Sequence, residues 1–229
     1  MGKRSAVSAP ARAGVVFDLD GTLVDSNYLH THAWTRAFDD IGEWAPANAV
    51  HRLVGMGGDQ LVPTLFGRDL PEARERRTQR YAELIGEVRP FPRAVELLDS
   101  LRAAGLIVAL ATSAPASELE VAVDRVGGRD RFDVVISADD VQRSKPDPEI
   151  IATAIQRASL DPARVIAVGD SVWDVRAARG AGVACIGVES GGFSRHELAE
   201  EGALAVYRDV TELCAQVWTS PLAVLTVRG

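Results

Sequence analysis

RVIAVGDSVWDVRAARGAGVACIGV, residues 164–188, reads as strand, helix, strand. RVIAVG (164–169) and VACIGV (183–188) are short apolar runs, and WDVRAARGAG between them is amphipathic. Runs rich in Val and Ile that lack polar alternation belong to strands buried on both faces, as in a parallel sheet covered by helices. Outward from this unit the same alternation continues. LIVALA (106–111), DVVISA (133–138) and ALAVY (203–207) are further runs, separated by AVELLDSLRAAG, ASELEVAVDRVG and PEIIATAIQRAS, with a last helix near 209–218. GVVFDLD (14–20) adds one buried strand, isolated from the others in sequence. The pattern predicts an α/β fold with a doubly wound, Rossmann-like parallel sheet.

Between that first strand and residue 90 the reading is helical: about 27–42, 46–54, 58–66 and 71–87, broken by Gly55, Gly57, Gly58, Gly67 and Pro71, with no convincing strand. The expected organisation is a loose tail at 1–13, an α/β core from 14–24 and 91–229, and a small all-helical domain at 25–90. Val24–Ser26 and Pro90–Pro92 are the joints, and so the hinge positions.

The 229 residues are 47% hydrophobic and 25% charged, enough for a large domain with a smaller one attached. No apolar stretch approaches the roughly 18–20 residues that span a bilayer. MGKRSAVSAPARAG leads into VVFDLDG with no apolar signal region. A net charge of −7 argues against a nucleic-acid partner. Cys185 and Cys214 have apolar neighbours and no metal-ligand spacing, which reads as buried, reduced thiols in a cytoplasmic protein. The chain has only two lysines, Lys3 and Lys145.

Open α/β sheets bind ligands beyond the carboxyl ends of their strands. The first strand ends in Asp18-Leu19-Asp20-Gly21-Thr22, the second in Thr112-Ser113, and the fourth in Gly169-Asp170-Ser171 with Asp174 beyond. Ser144-Lys145-Pro146-Asp147-Pro148 precedes the fourth strand, with Lys145 expected to open a helix. Asp18, Asp20, Asp170 and Asp174 against Lys145 leave about three uncompensated negative charges. Two like charges ~4 Å apart repel by roughly 4 kcal/mol at an effective dielectric of about 20. Asp170 and Asp174 at i, i+4 are unfavourable on a helix. Such a cluster raises several pKa values or holds a cation, and an all-oxygen set with a phosphate nearby suits Mg²⁺. Each residue singly has a plainer reading: Asp20-Gly21 as a turn, Thr112 and Ser171 as helix caps, Lys145 as a solvated loop residue, Asp174 as a helix-dipole acid. Their joint placement at strand ends favours a site.

DLDGTLVDS (18–26), the strand ending at Thr112, SKPDP around Lys145 and GDSVWD (169–174) resemble the four ordered motifs of the haloacid dehalogenase superfamily. The resemblance spans about residues 14–190 and includes a helical cap inserted after the first motif. It implies a phosphatase acting on a small phosphorylated metabolite, as a monomer or homodimer, with Mg²⁺ as cofactor. Asp18 would be the nucleophile and Asp20 the acid–base. Thr112 and the Ser113 backbone would hold phosphate, and Lys145 would balance charge. Asp18, the Asp20 carbonyl and Asp170 would ligate the metal, with Asp174 outside them. Metal-free dehalogenases of the superfamily lack the second aspartate of the first motif, which Asp20 supplies here. Phosphonate-cleaving members need a cap lysine, and residues 25–90 contain none. A β-phosphoglucomutase-like mutase stays as the alternative because His30 falls where that branch has a histidine. Its loop arginine is missing from residues 53–58, and Arg77 stands where it has a lysine. A non-catalytic phosphate-binding module is the third reading.

Within the cap, the glycine loop with Gly57 and Gly58 is the expected substrate-facing piece, with His30 nearby. Arg74, Arg76, Arg77 and Arg80 read as a solvated, salt-bridged face rather than a substrate site.

Overall fold

Residues 12–226 are described by the computed structural model; the expected tail falls mostly on residues 1–11, outside them. In chain order the elements begin with β1 (Arg12–Phe17), a two-residue β2 (Val24–Asp25), and helices α1 (Asn27–Asp40), α2 (Ala47–His51), α3 (Gly58–Phe66) and α4 (Pro71–Leu84). A two-residue β3 (Arg89–Pro90), α5 (Ala94–Ala103), β4 (Ile107–Ala111), α6 (Ala116–Arg125) and β5 (Val134–Ile136) follow. The chain continues with α7 (Glu149–Arg157), β6 (Leu160–Gly169), α8 (Val172–Gly180), β7 (Ala184–Val188), α9 (Arg195–Glu201), β8 (Ala205–Tyr207) and α10 (Val210–Ala215).

Six of the strands form one sheet in the order β5-β4-β1-β6-β7-β8, with every neighbouring pair parallel. Alternate residues of each central strand enter opposite cores, as the two-residue strand period requires. Val15, Phe17, Val108, Leu110, Ile166 and Val168 pack on one face, while Val16, Ala109, Val165 and Ala167 pack on the other. Both faces are therefore apolar, which is why these strands read as continuous hydrophobic runs. Helices α1–α4 enclose a third cluster around Trp34, Phe38, Leu61 and Val62.

The structure differs from the sequence reading at several boundaries. β1 starts at Arg12, inside the expected tail, because Arg12 pairs with Leu160 before a register shift at Gly14. β6 correspondingly starts at Leu160, and Pro162 lies in its irregular stretch, where a missing N–H does least harm. β2 and β3 pair antiparallel at the two joints of the helical segment, where no strand was expected. Lys145 does not open a helix: α7 begins at Glu149, after Pro148. Asp170 and Asp174 do not share a helix either, since Ser171 caps α8 between them.

Candidate active site

β1 lies at the sheet's switch point. From its two neighbours, β4 leads outward to β5 and β6 leads the other way to β7 and β8. Loops after β4 and β6 therefore diverge and leave a crevice over the end of β1. Asp18 follows β1 with its N–H still donating to Val168 O at 2.9 Å, and Thr112 follows β4 with its N–H on Ile136 O at 3.1 Å. The first residues beyond the sheet are thus held by sheet hydrogen bonds.

Lys145 is fully buried. Its Nζ donates to Asp18 Oδ1 at 2.5 Å and lies 2.7 Å from Asp174 Oδ1. This overturns the solvated-loop reading of Lys145. Burial alone would lower the lysine pKa, but Asp174 and Asp18 raise it above its ordinary value. Asp174 Oδ2 accepts from Ser171 N (3.1 Å) and Ser171 Oγ (2.5 Å), and Ser171 Oγ in turn caps Asp174 N. The capping box and the ion pair therefore use the same carboxylate. Asp170 accepts from Thr22 Oγ1 at 3.1 Å and Asn27 Nδ2 at 2.8 Å. A Cβ at Gly191 would collide with the Asp170 carboxylate, so glycine is required there.

Oxygens of Asp18, Asp170 and Asp174 all lie within 4.8 Å of one another. Burial is the largest cause pushing Asp18 up to about 7, with Lys145 opposing and Asp174 and Asp20 adding to it. Burial, Asp174 and Asp18 likewise push Asp170 up. Three buried carboxylates against one ammonium leave two excess negative charges at a compact all-oxygen site. The donor set suits a hard divalent cation, which would relieve that repulsion.

Asp20 belongs to a different environment. Ser26 Oγ donates to its Oδ1 at 2.5 Å. His30 Nε2 stands 2.9 Å from the same oxygen. Burial opposes ionisation of Asp20, but His30, Ser26 and Arg77 together hold its pKa down at about 2. The His30 ring stacks on Tyr81 with centroids 4.1 Å apart, and its Nδ1 is 2.5 Å from Arg77 Nη2. Arg77 in turn pairs with Glu118 of α6. A buried chain thus runs from Asp20 through two helices of the inserted segment to a helix of the sheet domain. Arg77 departs from the expected solvated face, whereas Arg76 pairs with Glu72 and Arg80 with Asp40 on the surface.

Of the residues singled out in the sequence, Asp18, Asp20, His30, Thr112 and Ser113 line one small cavity. Gly57 and Gly58 line a larger adjoining one of about 320 Å³, which Ser113 also borders. A Cβ at Gly57 would strike the Ser144 side chain, so the glycine loop lies directly against the segment that carries Lys145. Asp59 secures that approach by accepting from Ser144 N at 3.1 Å. Lys145, Asp170 and Asp174 cluster about Asp18. Sequence reasoning missed Thr22, Ser26, Asn27 and Glu118, and it read Arg77 as part of a solvated face and as the replacement for a mutase-branch lysine rather than as a buried partner of His30 and Glu118. One signal was available: Arg77 shares an i, i+4 row with Ala73 and Tyr81, all three buried, so a charge stood on an apolar stripe.

The chain belongs to the haloacid dehalogenase-like hydrolase family, whose description matches residues 13–182. It is 34% identical over 215 residues to a phosphoglycolate phosphatase of Rhodospirillum rubrum, covering 87% of this chain and 88% of that one. A phosphorylated carbohydrates phosphatase of Thermotoga maritima is 30% identical over 204 residues, covering 85% and 93%. Among solved structures, a hydrolase from Pseudomonas syringae superposes with a TM-score of 0.84 at 30% identity, covering 90% of this chain and 98% of that one. Among the described residues no helix is long and apolar enough to cross a membrane.

Proposed function

We propose that the chain is a magnesium-dependent phosphatase of small phosphate monoesters, with 14–24 and 91–229 as catalytic core and 25–90 as a cap over the strand ends. The observation that carries this reading is a single buried lysine joining Asp18 to Asp174, with the Asp170 carboxylate alongside. An Asp18 oxygen attacks phosphorus, and the bond from phosphorus to the leaving oxygen breaks as the aspartyl phosphate forms. Asp20 gives the leaving oxygen its proton. It then takes a proton from the water that attacks phosphorus, freeing Asp18 and inorganic phosphate.

Before substrate enters, His30, Ser26 and Arg77 keep Asp20 ionised, so it is able to take a proton but is only a weak base. For the preceding step, a phosphate dianion entering beside Asp20 raises its proton affinity and readies it as acid. Thr112 and the Ser113 backbone receive phosphate oxygens. Ala114 N already donates to Thr112 Oγ1 at 3.0 Å, which leaves the hydroxyl proton to point at an anion. Lys145 balances charge on Asp18 and the transferring group. Asp18, Asp170 and the Asp20 main-chain carbonyl would hold Mg²⁺, with Asp174 outside them, and the ion would supply positive charge to the phosphoryl oxygens. A cytoplasmic location accords with the two buried thiols.

A sugar-phosphate mutase is the second reading, favoured by the contact of His30 with Asp20. Against it, Arg77 stays charged and is a poor proton carrier. The test is release of inorganic phosphate from a panel of monoesters with and without Mg²⁺. Mg²⁺-dependent release is expected. Isomerisation of β-glucose 1-phosphate without net release would establish the mutase, and neither activity would leave the binding-module reading.

A further inference from the structure

Asp170 is held from two directions. Thr22 Oγ1, in the loop after β1, donates to its Oδ1 at 3.1 Å, and Asn27 Nδ2 donates to its Oδ2 at 2.8 Å. Asn27 is the first residue of α1, so the second bond joins a carboxylate of the sheet domain to the inserted helices. The amide has one workable orientation. Nδ2 also lies 3.4 Å from Gly191 O, so both its neighbours are acceptors, and a flipped amide would set its oxygen against a carboxylate and a carbonyl. Asn27 Oδ1 is buried with no partner among the described residues, so the donor contacts are what hold the side chain in place.

Packing leaves this arrangement little slack. A Cβ at Gly21 would strike both the Asn27 amide and the Asp170 carboxylate, and a Cβ at Gly192 would strike the His51 ring of α2. Two of the inserted helices therefore bear on the Asp170 surroundings, α1 directly through Asn27 and α2 through the residue after Gly191. The Asn27 bond also favours the state that a cation needs. Burial, Asp174 and Asp18 push the Asp170 pKa up, and Asn27 opposes them ahead of Lys145. A donor on one oxygen stabilises the ionised carboxylate and fixes its direction, as partners behind metal ligands do.

We infer that Asn27 is a positioning residue for the metal carboxylate Asp170, and that through it cation binding and seating of the helical segment on the sheet domain favour each other. The coupling is reciprocal. Helices that deliver Asn27 Nδ2 raise the affinity of Asp170 for the cation, and a cation that keeps Asp170 ionised and oriented retains the helices. This inference rests on the Mg²⁺ reading of the site. Two other N–H groups of the sheet domain donate to the helical segment and report its seating: Ser144 N to Asp59 Oδ2 at 3.1 Å, and Trp173 Nε1 to Arg52 O at 3.2 Å.

The experiment is calorimetric titration of Mg²⁺ into the parent, Asn27→Ala and Tyr28→Ala chains. Hydrogen exchange at the Ser144 amide and the Trp173 indole is followed by NMR with and without Mg²⁺. Asn27→Ala should weaken Mg²⁺ binding about tenfold, the usual loss when the partner of a metal ligand is removed. Tyr28→Ala alters the next position of the same helix, which is exposed, and should stay within about twofold of the parent. Saturating Mg²⁺ should slow both exchanges in the parent by about the same tenfold, as reciprocity requires, and leave them nearly unchanged in Asn27→Ala. Unchanged affinity in Asn27→Ala, or an equal loss in Tyr28→Ala, overturns the positioning role. Exchange that bound Mg²⁺ does not slow in the parent overturns the linkage, and this arm decides even where Asn27→Ala does not fold. A parent chain that binds no Mg²⁺ removes the metal reading and this inference with it. Binding by the parent with unchanged affinity in Asn27→Ala removes this inference alone.

Discussion

Lys145 and Arg77 are both buried cations at the same crevice, yet they are held in different ways. Lys145 is gripped by Asp18 and Asp174, which sit at the ends of adjacent parallel strands or the helix that follows one of them. Arg77 is carried by α4 and held by His30 of α1 and Glu118 of α6, so its partners come from both the inserted helices and the sheet domain. The first arrangement is fixed once the sheet forms. The second exists only when the helical segment is seated on the sheet. The strand-end cluster and the Arg77 chain therefore stand on separate supports, and substitutions should separate them.

The largest effect belongs to the strand ends. Asp18→Asn keeps the side-chain volume and removes the nucleophile, and steady-state assays should show turnover reduced by about 10⁴-fold or more. Activity within tenfold of the parent would rule out the covalent route. Lys145→Met removes the one cation of the cluster, and kcat should fall by about 10²–10³-fold. Arg77→Gln should act on the other side of the comparison, loosening the hold on His30 and Asp20 and lowering kcat/KM by roughly tenfold, a smaller loss than at Lys145. A kcat loss for Arg77→Gln as deep as that for Lys145→Met would break the division between the two regions.

The same contrast governs what was legible in the sequence. Strands buried on both faces must be continuously apolar, so VVF, LIVALA and RVIAVG exposed the sheet, and the residues after them exposed the site. Lys145 stood out because residues 25–226 contain no other lysine. Arg77 did not, because it lies in ERRTQR, whose neighbours are surface residues, and its burial comes from packing against α1 and from Glu118, 41 positions away. Glu118 itself reads as an ordinary first-turn acid of α6. Asn27, at the start of α1, looks like helix-terminal polarity, and only the return of β6 beside β1 brings Asp170 to it. β2 and β3 have two residues each, too few for any periodicity.

The smallest predicted effect, a stability shift, tests whether the strand-end cluster is the part under electrostatic stress. In the folded chain without a divalent cation, burial and its acidic neighbours push Asp18 up to about 7, whereas an unfolded aspartate titrates near 3.9. Between those values the folded state binds a proton that the unfolded state does not, so stability falls as pH rises from about 4 to about 7. Asp20 behaves oppositely, its contribution being lost only as pH falls toward about 2, outside this window. His51, whose pKa is lowered by burial and by Arg52, opposes the trend but is common to the parent and the Asp18→Asn chain, so their difference cancels it. In chelator, the Tm of the parent relative to Asp18→Asn should therefore drop by on the order of 5 °C between pH 5 and pH 7.5. Mg²⁺ should remove most of that drop, since a cation bound to ionised carboxylates stabilises only the folded chain. A flat difference in chelator would mean that Lys145 alone balances the cluster. The case for a metal among Asp18, Asp170 and Asp174 would then lose its electrostatic basis, while the Arg77 side of the crevice would be untouched.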